Sequence, residues 1–227
     1  MKIVVIISAN AEWRVVKELY PNLTLQHSPF GEFADLTLDT RYVTLFHGGW
    51  GKISAAATAQ YVIDHFKPDL LVNLGTCGGF QGRIERGTII LVEKTIVYDI
   101  FEQMTDGSEE IAFYTTQLDL SWLPRVLPSP VSRGLMVSGD RDIVAGDIPM
   151  LVEKYDAVAA DWESGAIAWV AGRDNVRTLI LRGVTDLVGG AGGEAYGDYD
   201  LFVRRTHEIM KKLFDNLPDW LAAIELN

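Results

Sequence analysis

Apolar residues along this chain fall into two kinds of run, and their alternation sets the architecture. Ile3–Ile7 is unbroken and β-branched, the pattern of a strand covered on both faces by helices. Positions 11–20 switch to helical spacing, with Trp13, Val16 and Leu19 three apart and Pro21 as the stop. Residues 36–46 alternate through a predicted hairpin at Asp39-Thr40, and Gly48-Gly49-Trp50-Gly51 follows as a tight loop. Residues 52–66 are predicted helical, with a buried stripe through Ile53, Ala56, Ala57, Tyr61 and Val62.

Residues 70–74 form another buried run. It ends in Gly75-Thr76-Cys77-Gly78-Gly79, which predicts a strand giving way to a loop whose backbone something approaches closely. Further strands are predicted over 88–97, 134–138, 157–160 and 178–184. The last helix is predicted over 198–216, amphipathic through Leu201, Ile209, Leu213 and Leu217, ended by Pro218 and packed on the sheet edge. Strand and helix alternate throughout, as in an α/β fold on a mostly parallel sheet. No repeat or Pro/Ser linker intervenes, so residues 1–227 read as a single domain.

Composition narrows the chemistry. Hydrophobic residues make up 48% and charged residues 22%, enough for a packed core and against disorder. The net charge of −11 and the lack of a basic stripe argue against nucleic acid as a partner. The lone Cys77 excludes an internal disulfide and fits a reducing cytoplasm. The apolar start is far shorter than the ~20 residues of a membrane span, so no membrane partner is expected. His27, His47, His65 and His207 are scattered, and neither a metal nor a cofactor is expected. The glycine-rich stretch from Gly189 to Gly193 lacks the ending of a phosphate loop and reads as a lid or turn.

Ligands of such sheets bind beyond the carboxyl ends of the strands. That rule selects Glu12, Thr76, Asp140, Glu163 and Asp186, with three or more acids able to converge. Each also has a plainer reading. Asp186 suits a helix N-cap, Glu12 and Glu163 suit the first turn of a helix, and Thr76 and Gly78 suit a tight turn. Cys77 lacks a neighbouring His or an elbow motif and reads as a packed thiol.

Five ordered segments carry a resemblance. They are Ser8-Ala9-Asn10-Ala11-Glu12, Gly75-Thr76-Cys77-Gly78-Gly79-Phe80, Ser138-Gly139-Asp140, Asp161-Trp162-Glu163-Ser164-Gly165-Ala166 and Val184-Thr185-Asp186-Leu187. Together they resemble the methylthioadenosine/S-adenosylhomocysteine nucleosidase family, and the second and fifth look more like its plant-type members. The region from about Ile100 to Pro130 has no recognisable counterpart.

The resemblance implies a single α/β domain with a central mixed β-sheet flanked by helices, shared with the nucleoside phosphorylases, and a homodimer. It implies hydrolysis of the N-glycosidic bond of a purine nucleoside, first 5′-methylthioadenosine and then S-adenosylhomocysteine, releasing adenine and the ribose product. Asp186 would protonate the departing base and Glu12 would activate water. Glu163 would bind the ribose hydroxyls, with Thr76 and Gly78 lining the pocket. Trp162 departs from the family, which has methionine there against the ribose, and the preceding acid is Asp161 rather than glutamate. Arg141-Asp142-Ile143 stands where bacterial members place a stacking phenylalanine, which leaves Ile143 to cover the base.

Two alternatives stay open. A phosphorylase of this fold commonly has an arginine shortly before the glycine-rich segment, where this chain has Asn73-Leu74, and Glu12 would repel phosphate. Arg14 and His47 remain as phosphate ligands for that reading. A non-catalytic nucleoside-binding domain is the other.

Overall fold

Alternate residues of Ile3–Ile7 face opposite layers of helices, which is why the whole run is apolar and buried. The computed structural model describes residues 1–224; positions 225–227, the end of the expected domain, lie outside the described residues. In chain order the elements are β1 (Ile3–Ile7), α1 (Asn10–Leu19), β2 (Gln26–His27), β3 (Glu32–Leu38), β4 (Arg41–His47), α2 (Gly51–Phe66), β5 (Leu70–Phe80) and β6 (Ile89–Val97). There follow α3 (Ser108–Phe113), β7 (Thr115–Gln117), β8 (Ser132–Ser138), α4 (Ile148–Tyr155) and β9 (Ala157–Asp161). The chain continues through α5 (Ser164–Arg173), β10 (Thr178–Gly189), β11 (Gly192–Gly193) and α6 (Tyr199–Ala223).

One mixed sheet joins the strands, the central sheet of an α/β fold. β1 runs parallel to β4 on one side and to β5 on the other. β10 pairs with β5 along most of its length and also with β6. Since β6 pairs with β8, β8 with β9, and β9 with the far end of β5, these strands close on one another while β1, β4, β3 and β2 extend as an open wing. Trp13, Val16, Met210, Phe214 and Trp220 of α1 and α6 pack one face against Ile3, Val5, Leu70 and Leu179. On the other face Ala55, Val62, Ile167 and Val170 of α2 and α5 meet Val4, Ile6 and Leu71. None of the described helices is long and apolar enough to cross a membrane.

Four local expectations are corrected. The Gly75-to-Gly79 segment stays in strand instead of opening into a loop, because β10 and β9 hold its backbone from either side. Its glycines permit close approach: a β-carbon at Gly75 would lie 2.1 Å from Arg182 Nη1. β10 likewise runs on through Asp186, so that residue is a strand residue and not a helix cap. Helix α6 passes through Pro218 and lies across a sheet face, not at its edge. Burial of Leu217, Trp220 and Leu221, about 1.5–3 kcal/mol each, outweighs the roughly 3 kcal/mol that an interior proline costs. In α2 the buried stripe is Gly51, Ala55, Thr58, Ala59 and Val62, since small residues let the helix close on α5 and the sheet. Ile53 is left 84% exposed on the opposite side.

Candidate active site

Glu12 opens α1 just past the end of β1, and its carboxylate is buried. One oxygen, Oε1, accepts from the backbone N–H of Thr76 at 2.6 Å and from the Thr76 hydroxyl at 2.9 Å. The other, Oε2, accepts among the described residues only from the Ala9 N–H, at 3.1 Å. Thr76 thus couples the end of β5 to the first turn of α1, and Glu12 keeps one oxygen with accepting capacity to spare.

Behind this pair lies Arg182, fully buried in β10. Nη1 is 3.8 Å from Glu12 Oε1, and Nη2 is 3.9 Å from Glu163 Oε2. Nε is 3.1 Å from Asp161 Oδ2 and donates to Ser164 Oγ at 2.9 Å, while Nη2 donates to Asn73 Oδ1 at 2.9 Å. Burial opposes the guanidinium charge, but Asp161, Glu12 and Glu163 together hold its pKa above the ordinary value. Asp161 also accepts from the Ser138 hydroxyl at 2.5 Å, tying β8 to β9.

Glu163 stands at the N-cap position of α5 without a side-chain cap bond, and its Oε1 accepts instead from the Gly51 N–H at 3.1 Å, which joins the start of α2 to the same cluster. Burial raises its pKa from 4.5 to about 8, with Asp161 and Glu12 adding to the effect and Arg182 opposing it. Three carboxylates around one guanidinium leave an excess negative charge, which a retained proton relieves.

Asp186 reaches the site through a break in the β10 ladder. The register with β5 shifts between Val184 and Asp186, leaving Thr185 as the extra residue and setting Asp186 opposite Gly78. Gly78 lies two residues beyond Thr76 in β5, about 6.6 Å at strand rise, so β5 brings the residue that holds Glu12 and the one opposite Asp186 close together. Thr185 Oγ1 bonds Asp186 Oδ1 at 2.9 Å. Burial raises the Asp186 pKa against the lowering effect of that bond and of the Ala195 N–H.

Among the other expected residues, Ile143 is buried beside Gly78: its Cδ1 lies 2.7 Å from where a β-carbon there would stand. Trp162 is 37% exposed. Asp140 is not brought to the acid cluster; it accepts from the Lys52 N–H at 2.7 Å and pairs with the Lys52 ammonium at 3.7 Å. Burial pushes the Cys77 thiol well above its usual range, as in a packed thiol. Arg14 is exposed on the outer side of α1. His47 stacks on Trp13 with centroids 5.5 Å apart, and burial lowers its pKa. Among the described residues no three His, Cys, Asp or Glu side chains converge to hold a metal.

Strand-end reasoning missed Arg182 and Tyr196. The signal for the first was a lone charge inside the apolar run of β10. Tyr196 follows the β10–β11 hairpin, and its hydroxyl donates to the Ile143 carbonyl at 3.0 Å, bridging the two segments that flank Asp186. No spacing pattern announced that contact.

Known proteins share this fold. The family model described as the phosphorylase superfamily matches residues 2–217. A 5′-methylthioadenosine/S-adenosylhomocysteine nucleosidase of Maridesulfovibrio salexigens is 31% identical over 181 residues, covering 73% of this chain and 78% of that one. The Streptococcus pneumoniae 5′-methylthioadenosine/S-adenosylhomocysteine nucleosidase, solved with a transition-state inhibitor, superposes with a TM-score of 0.76 at 21% identity, covering 99% of this chain and 100% of that one. The futalosine hydrolase of Helicobacter pylori superposes with a TM-score of 0.77 at 16% identity, covering 96% of this chain and 97% of that one.

Proposed function

The chain belongs to the phosphorylase superfamily and, within it, to the 5′-methylthioadenosine/S-adenosylhomocysteine nucleosidase family, and on that premise we propose that it hydrolyses the N-glycosidic bond of a purine nucleoside. The substrates this reading assigns are 5′-methylthioadenosine and S-adenosylhomocysteine, with adenine and the free ribose derivative as products. The observation that carries it is the pairing of two unlike carboxyls across β5. Glu12 sits in a bed of donors, and Asp186 sits where burial favours its protonated form.

Each group then has a task set by its surroundings. Asp186 donates its proton to N7 of the purine as the bond to C1′ breaks, so the base departs neutral. Glu12 takes a proton from water on the other side of the sugar carbon. Glu163 binds the ribose hydroxyls, and the proton it holds in the free protein lets it donate as well as accept. Arg182 keeps Glu12, Asp161 and Glu163 at fixed spacing, and the small Gly78 lets Ile143 lie over the base while Trp162 closes the sugar end. The carboxylate at the nucleophile position and the outward Arg14 favour water over phosphate.

The same reading assigns a cytoplasmic homodimer acting as one unit over residues 1–227. Trp50 and Ile53 are 61% and 84% exposed, and Phe101 and Met104, also exposed, follow Asp99, which pairs with Lys52 of α2. An apolar rim of this kind beside a site is suited to cover by a second copy. A panel of 5′-substituted adenosines and inosines, assayed for free base, tests the function: release from 5′-methylthioadenosine is expected, and no release from any member contradicts it.

A further inference from the structure

Ser8 is the first residue past β1, fully buried, and its hydroxyl has no hydrogen-bond partner among the described residues. Buried polar groups are almost always satisfied, so an orphan needs a reason. Continued past Ile7 and Leu74, the β1–β5 register sets Ser8 beside Gly75, where a β-carbon would lie 2.8 Å from Glu12 Oε1. Ser8 points to the same side of the sheet as Ile6: a β-carbon at Gly48 would lie 2.9 Å from Ile6 Cγ2 and 3.7 Å from Ser8 Oγ. That face is the one covered by α2 and α5, from which Arg182, Ser164 and Glu163 enter the cluster.

The neighbouring carboxylate has a matching gap. Glu12 Oε1 is engaged by both Thr76 donors and lies 3.8 Å from Arg182, whereas Oε2 holds only the Ala9 N–H. Ala9 is the residue after Ser8, so the spare acceptor of the carboxylate and the spare hydroxyl lie on either side of one peptide unit.

Resting on the hydrolase reading above, we propose that Ser8 is a ligand of the attacking water. The water donates one hydrogen to Glu12 Oε2 and the other to Ser8 Oγ, which leaves a lone pair directed at the sugar carbon. As the C1′–N9 bond breaks, its electron pair leaves with the base, which takes the Asp186 proton. The new C1′–O bond forms from the water, and the proton it sheds passes to Glu12. Solvent returns Glu12 and Asp186 to their starting states. Without Ser8 the water keeps its base but loses the contact that fixes its orientation.

Ser8→Ala tests this through three readouts: turnover of 5′-methylthioadenosine, partition between water and added methanol as nucleophile, and Tm. The expected result is a kcat about 10-fold lower with KM unchanged, the value of one hydrogen bond to the nucleophile. The methyl riboside share of the product should rise, and the Tm should not fall, because the group removed was unsatisfied. Unchanged kcat and partition overturn the proposal, as does a change in KM alone, which would make Ser8 a sugar ligand. A variant that melts well below the wild type shows the hydroxyl to be structural and also overturns it. Wild-type protein that releases no base from any nucleoside sinks the hydrolase reading itself, and Ser8 with it. Active wild type with an indifferent Ser8→Ala sinks the Ser8 inference alone.

Discussion

The amide and the hydroxyl of Thr76 both donate to a single oxygen of Glu12, across 64 positions of sequence. This fixes the carboxylate by one edge and leaves its other oxygen facing the β1–α1 turn, where only the Ala9 N–H meets it. A general base needs that asymmetry: one oxygen held, one available. Across the strand, Asp186 has the opposite requirement, and its burial supplies it.

Asp186→Asn should keep the fold and lose about 10²- to 10⁴-fold in kcat, roughly 3 to 5 kcal/mol of barrier. The pH profile provides a second check. Because burial raises the Asp186 pKa, the proton it donates persists to higher pH than that of an ordinary aspartate and is lost as pH rises further. The wild-type rate should therefore fall on the alkaline side, and the residual activity of the Asn variant should lack that limb. A near-normal rate in the variant removes Asp186 from the acid role.

Glu163 makes stability depend on pH. Its carboxyl ionises near 4.5 when unfolded and near 8 when folded, so between those values the folded protein holds a proton that the unfolded chain releases. The contribution is fully present below the lower value and is lost as pH rises through the upper one. Urea unfolding across this window should show wild-type stability declining more steeply than that of Glu163→Gln. The same variant should raise KM more than it lowers kcat, and parallel stability curves would count against the retained proton.

Arg182→Met should destabilise by about 3–5 kcal/mol, because it strands buried carboxylates without their counter-charge. Protonation relieves that repulsion, so the loss in Tm should be larger at pH 8 than at pH 5. A deficit independent of pH would show that packing alone accounts for the residue.

Ile53→Asp places a charge on the exposed side of α2. If a second copy covers this rim, sedimentation should show a dimer for the wild type and a monomer for the variant. A wild-type monomer at micromolar concentration would contradict the homodimer.

Much of this was legible before any coordinates. Unbroken apolar runs marked β1 and the start of β5, and the strand-end rule selected Glu12, Thr76, Asp140, Glu163 and Asp186 from a chain rich in acids, of which Asp140 is instead held by Lys52. What stayed hidden depends on pairing between distant strands. Arg182 looks like a strand defect until Glu12, Asp161 and Glu163 are folded around it. The glycines after Leu74 look like a loop because local propensity is silent about the ladders on either side. Pro218 reads as a stop because the burial that carries α6 past it comes from the sheet and not from the helix.

The most direct test incubates the purified protein with 5′-methylthioadenosine in buffers with and without inorganic phosphate and identifies both products. The account expects adenine and free methylthioribose at the same rate in either buffer. Turnover that requires phosphate and yields the sugar 1-phosphate, or no adenine in either buffer, would contradict it.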